Sequence, residues 1–184
     1  MTLELENDNA AERWDELREI IEDWQLEHFA AREFVRLRWE ILDADQIDGP
    51  VPDAGIPYPW HYRDLVHTAT LADKIRADWG APVKVVSGYR PPTYNDVQVE
   101  GSERSMHVRF AALDLQPVDD YEIHEWIAHC ERIVEQRRQD AHDAIGLGRY
   151  WDERGSFVHL DTGYHQHDRD WHVSEHGYLD PRTQ

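Results

Sequence analysis

The chain has 184 residues, enough for one domain with a real core and few for a second full one. Its 38 acidic and 19 basic residues give a formal charge of −19, with lysine only at Lys74 and Lys84; this excludes a basic nucleic-acid-binding face and fits the hydrated acidic surface of a halophilic, salt-adapted protein. No run of about 18 apolar residues could cross a bilayer, and the lone Cys130 excludes an internal disulfide framework.

The first residues, MTLELENDNAAERWDEL, are acidic and lack an apolar h-region, so the expectation is a chain without a secretory signal, cytoplasmic or, if viral, virion-associated. From Asn9 to Trp24, Trp14, Leu17, Ile20, Ile21 and Trp24 recur at helical spacing, with Asp8 or Asn9 as the cap. Such a stripe is read as core in preference to a partner-binding face. His28–Trp39 predicts a second short helix. Between Ile47 and Trp60, Gly49, Pro50, Pro52, Gly55, Pro57 and Pro59 predict a surface loop without regular structure. Tyr62–Trp79 is a firmer helix, terminated by Gly80 before Pro82.

Val83–Val86 is a short β-branched run that delivers Ser87, Tyr89 and Arg90 to its end, where Pro91 and Pro92 stiffen the turn. Ala111–Gln116 is a second strand; the period of two sets Ala112, Asp114 and Gln116 on one face and Ala111, Leu113 and Leu115 on the other. An Asp on such a strand needs a partner, and a cation, a helix N-terminus or an arginine would each serve. Asp119–Asp140 predicts a helix with Asp119 and Asp120 at its positive end. Two strands follow, Ala144–Tyr150 with alternating glycines and Ser156–Thr162 with His159 and Asp161 on one face. The tail from Gly163 shows no regular element.

His107, Asp114 and His159 make a sufficient three-ligand set for zinc with a fourth position left for water. With only one cysteine, a catalytic site is the better reading than a closed structural one. Zinc there would polarise a carbonyl and acidify its water, the chemistry of amide hydrolysis, and a carboxylate would be needed as general base. Asp161, on the face of His159, is the first candidate and Glu153 the second. Surface histidines and capping aspartates are the alternative, since 12 histidines and 38 acids produce chance pairs.

The strings SGYRPPTYN, SMHVRFAALD, GLGRY and FVHLDTG, in that order, resemble the zinc D-alanyl-D-alanine carboxypeptidase family of the hedgehog/D,D-peptidase superfamily, whose pattern is SGYRxxxYN, SxHxxGxAxD and a final histidine strand. HFAAREF resembles the HFxxxEF motif of its phage and bacterial members, and the FVHLD strand a branch of them. The resemblance runs from Glu27 to Trp171. It implies an α+β fold, a small antiparallel sheet with helices packed on one side, and zinc (Zn2+) on His107, Asp114 and His159. It also implies that Arg90 receives a substrate carboxylate, with Ser87, Tyr94 and Ser105 beside it. Three departures stand out: Phe110 replaces the motif glycine, Ser156 stands where many members carry the base, and WDERG lengthens the hairpin.

The expected organisation is a helical extension over residues 1–26, a peptidase-like domain over 27–171 and a polar tail over 172–184. The expected function is a zinc peptidase, a D,D-carboxypeptidase or related hydrolase, acting on peptidoglycan-type or small peptides, with no nucleic-acid or membrane partner. The alternative is a virion or surface assembly protein on the same fold, with virion or homo-oligomer contacts through residues 9–24. A cytoplasmic peptidase of a small modified dipeptide is the third reading. His165, His167, His172 and His176 form a solvated tail tied down by Trp171 in preference to a second metal site.

Overall fold

The computed structural model describes residues 10–35, 56–97, 104–141, 144–152, 155–162, 169–174 and 177–179. Helix α1 (Ala10–Glu22) follows the predicted stripe. Leu17 and Ile21 are buried in the main core, with Trp14, Ile20 and Trp24 packed half-buried against it. The stripe thus packs on the domain's own core. The expected caps Asp8 and Asn9 lie outside the described residues.

Two backbone N–H groups past α1, of Glu27 and His28, are taken by the Asp73 carboxylate at 3.1 and 2.9 Å. Helix α2 (Ala31–Phe34) follows, its start held by Glu33, which accepts from Ala30 N–H at 2.8 Å. The rest of the predicted helix to Trp39 lies outside the described residues, as does most of the Ile47–Trp60 segment. At that segment's end the expectation of irregular chain is corrected: Pro59–His61 form one 3-10 turn, for which a proline in the first position is preset.

Helix α3 (Val66–Trp79) starts four residues later than the periodicity implied, after the turns at 62–65. It ends as predicted at Gly80, which takes φ +73° and donates its N–H to Arg76. Helix α5 (Ile123–Ala141), which follows the short α4 (Pro92–Val97), likewise starts later than expected. Asp119 and Asp120 precede it, and the Glu122 carbonyl accepts from the first N–H groups.

Strands β1 (Val83–Ser87), β2 (Ala112–Pro117), β3 (Ile145–Asp152), β4 (Gly155–Thr162), β5 (Arg169–Ser174) and β6 (Gly177–Leu179) form one sheet in the order β1-β2-β4-β3-β5-β6. The first four in that order are antiparallel neighbours, the small antiparallel sheet expected. Strand β5 adds parallel to β3 and β6 returns antiparallel to β5, which corrects the reading of the tail as irregular. A strand that borrows its ladder from an existing edge needs no apolar alternation of its own, so the sequence carried no sign of it. Strand β1 contains a bulge between Val85 and Ser87, after which Ser87 stands opposite Asp114.

Helices α3 and α5 lie together against β2, β3 and β4. The face they cover carries Leu113, Leu115, Leu147, Val158 and Leu160, packed with Ile75, Trp126 and Ile133. Each such side chain contributes about 1.5–3 kcal/mol when fully buried. Trp79 meets Trp126 edge-on at 5.3 Å between ring centroids and so joins the two helices. Cys130 is a buried core thiol whose pKa burial raises well above the usual value. Among the described residues no helix is long and apolar enough to cross a membrane. The period of two sends Ala112, Asp114, His159 and Asp161 to the opposite face of the sheet.

Candidate metal centre

Register assembles this face. In the β2–β4 ladder Asp114 lies opposite His159 and Ala112 opposite Asp161, while on the other side of β4 the partners of His159 and Asp161 are Gly148 and Gly146. His107 comes down from the turn that precedes β2. That turn is tightened by Phe110 and Ala111, whose N–H groups donate to His107 and Met106.

Three atoms converge. His107 Nε2 lies 3.1 Å from Asp114 Oδ1 and 3.0 Å from His159 Nδ1, and His159 Nδ1 lies 2.9 Å from Asp114 Oδ1. All three residues are buried. The outer nitrogens are committed elsewhere. His107 Nδ1 is 2.7 Å from the Gly88 carbonyl, which can only accept, so the proton sits on Nδ1 and the Nε2 lone pair faces inward. His159 Nε2 is 3.0 Å from Asp161 Oδ2. With its N–H donated there, Nδ1 also presents a lone pair inward. Two nitrogen lone pairs and a carboxylate oxygen within about 3 Å of one another repel unless a cation or a proton sits among them.

The electrostatics agree. Burial and the Arg90 charge push the His107 pKa down to about 4, which keeps that ring neutral and able to ligate. Burial works against a charge on His159, but its hydrogen bonds to Asp114 and Asp161 outweigh it and raise the pKa to about 9, so without a cation Nδ1 holds a proton toward Asp114, and a metal would take that proton's place. Burial also opposes the charge on Asp114, yet the Arg90 guanidinium and the bond from His159 hold its carboxyl well below the usual range. The donor set thus attracts positive charge strongly. A tetrahedral ion with bonds of about 2.0–2.1 Å would space its donors about 3.3 Å apart, close to the observed separations. His107, Asp114 and His159 are arranged to hold a metal ion.

Arg90 closes the cluster from the β1 end. It donates from Nη2 to Asp114 Oδ2 and from Nε to Ser87 Oγ at 2.8 Å, and its backbone N–H donates to the His107 carbonyl. Ser87 therefore touches the arginine and steadies it. Tyr94 sits on α4, partly exposed, and Ser105 opens the turn two residues before His107. Glu153 lies outside the described residues. The Asp161 carboxylate, first candidate for a base, binds the outer nitrogen of His159.

Gly88 was not singled out by the sequence, although it is the glycine of SGYR. Its carbonyl orients His107, and its missing side chain lets α2 approach. Phe110, standing where the related pattern has glycine, takes φ +54°, a left-handed conformation that costs a bulky residue about 1–2 kcal/mol. Its ring, fully buried, joins the main core and meets Tyr89 edge-on at 6.0 Å. Phe110→Ala should destabilise the fold by about 3–5 kcal/mol, and Phe110→Gly by about 1 kcal/mol less, because glycine alone carries no penalty at that φ. Urea unfolding of both variants checks this; an alanine variant more stable than the glycine one would contradict it.

A family model described as Peptidase M15 matches residues 48–161, more than half of the chain. No curated protein and no solved structure gives a significant match.

Proposed function

Since the chain belongs to the Peptidase M15 family, we propose that it is a zinc-dependent peptidase that cleaves next to a D-amino acid in peptidoglycan-type stem peptides, as a D,D-carboxypeptidase or a related hydrolase. The observation that carries this reading is the convergence of His107 Nε2, His159 Nδ1 and Asp114 Oδ1 with the imidazole protons directed outward. Zinc held there supplies Lewis-acid polarisation of a carbonyl and acidifies a bound water.

The chain's own residues supply position and charge. The Gly88 carbonyl fixes the His107 ring. Arg90, 8% exposed, is stiffened by Pro91 and by its bonds to Ser87 and Asp114, so its guanidinium is set before any ligand arrives. Its remaining terminal nitrogen, Nη1, is the group that would meet the carboxylate of a peptide.

The experiment is metal analysis of the purified protein followed by D-alanine release from a stem pentapeptide at low and high salt. Stoichiometric zinc with release is the expected result; zinc without release removes the peptidase assignment. Arg90→Ala should lower kcat/KM by about 10- to 100-fold, the value of a hydrogen bond to a charged group, chiefly through KM. Zinc content is measured alongside, because Arg90 also holds Asp114.

One observation favours a second reading, a metal-binding or assembly module on the same fold. The Asp161 carboxylate is bound behind His159, to its outer nitrogen. The first carboxylate expected to act as base therefore does not face the converging atoms, and the second, Glu153, lies outside the described residues. Zinc without hydrolysis is the outcome that selects this reading.

A further inference from the structure

We propose that Asp161 is a positioning residue, which holds His159 from behind so that Nδ1 and not Nε2 meets the metal, and that Gly146 exists to make room for it. The inference rests on the zinc reading above but adds two residues to the centre.

An imidazole in a strand can present either nitrogen, and the choice is made by whatever binds the other one. At His159 that partner is Asp161 Oδ2, 3.0 Å from Nε2, on a carboxylate only 1% exposed. Two residues apart on β4, the side chains share a face, so the strand's own pleat brings carboxylate and ring together. Space for the carboxylate comes from the neighbouring strands. Asp161 is flanked by Ala112 on β2 and by Gly146 on β3. A Cβ built at Gly146 would meet three atoms of one group, Asp161 Oδ2 at 2.3 Å, Cγ at 2.7 Å and Oδ1 at 2.8 Å. The three nearest atoms all belong to a side chain that can turn away. A methyl at position 146 would therefore expel the carboxylate from its seat sooner than break the strand. Its cost should appear at the metal.

The test measures zinc affinity by competition with a chromophoric chelator, together with the visible spectrum of the Co2+-loaded protein, which reports the ligand field. The variants are Asp161→Ala, Asp161→Asn, Gly146→Ala and the double variant Gly146→Ala/Asp161→Ala, each with the melting temperature of the apoprotein. Asp161→Ala should lose on the order of 10- to 100-fold in zinc affinity and alter the Co2+ spectrum, as removal of such a supporting carboxylate does elsewhere. Asp161→Asn, which keeps an acceptor oxygen, should recover most of that loss. Gly146→Ala should lose a similar amount when Asp161 is present and less than about threefold when it is alanine, since coupled neighbours are non-additive.

Asp161→Ala with wild-type zinc affinity and spectrum overturns the positioning role while leaving the zinc reading intact. An equal effect of Gly146→Ala in both backgrounds overturns the role of the glycine. A wild-type protein that takes up no zinc overturns the zinc reading itself, and this proposal with it. If Asp161→Ala does not fold, Asp161→Asn and Gly146→Ala decide by the same two readouts.

Discussion

His107→Ala is expected to weaken zinc binding by about two to three orders of magnitude and to abolish peptidase activity with it. The variant removes one of three donors, and with structural zinc sites stabilised by roughly 10–16 kcal/mol in all, one donor is worth about 3–4 kcal/mol, or about two to three orders of magnitude in affinity. Two further losses follow from the geometry. The Gly88 carbonyl loses the N–H donor that lies 2.7 Å away, and a cavity opens beside the buried Asp114. Equilibrium zinc titration and D-alanine release on the same preparation check the outcome. Stoichiometric, tight zinc in the variant would show that the converging atoms are not the metal site.

Gly88→Ala should damage the fold and the metal centre together. Its Cβ would lie 1.9 Å from the Phe34 carbonyl oxygen and 2.5 Å from the Phe34 carbonyl carbon, both backbone atoms that no rotamer can move. Either α2 retreats or the Gly88 backbone does. Retreat of α2 breaks the 2.7 Å hydrogen bond from Tyr89 N–H to the Phe34 carbonyl, and movement of Gly88 carries its own carbonyl away from His107. Overpacking of about 1–3 kcal/mol plus a lost bond of about 1 kcal/mol gives a loss of about 2–4 kcal/mol. For a chain of this size that lowers the melting temperature by roughly 5–15 °C. Zinc affinity should fall as well, because both routes end at the His107 ring. Calorimetry of the apoprotein and a zinc titration test the two effects separately; a melting temperature unchanged within about 1 °C would refute the close approach.

The donor residues were legible because each belonged to a pattern with a period or a motif: Asp114 and His159 on alternating strands, His107 in SMHVRFAALD. So was the end of α3, since Gly80 stands where a left-handed cap is needed. What escaped was set by neighbours in space. The face of β4 told that Asp161 stands with His159, but which nitrogen it binds depends on register and on the bare position at Gly146. The same holds for the tail, where β5 exists because β3 offers an open ladder, and for Phe110, whose backbone keeps the conformation of a glycine while its ring pairs with Tyr89. The N-terminal helix shows the opposite case. Its stripe was correctly legible as core, although the segment lies largely outside the family resemblance.

The bulge in β1 gives one short strand two masters. Up to Val85 the side chains keep step with Leu115 and the core; past the extra residue, a hydroxyl and not a valine stands across from Asp114. Packing and chemistry are thereby uncoupled at a single peptide. Val83 and Val85 can be retuned for stability without turning Arg90, and Ser87 and Arg90 can change toward other ligands while Gly88 and Tyr89 stay tied to the interior.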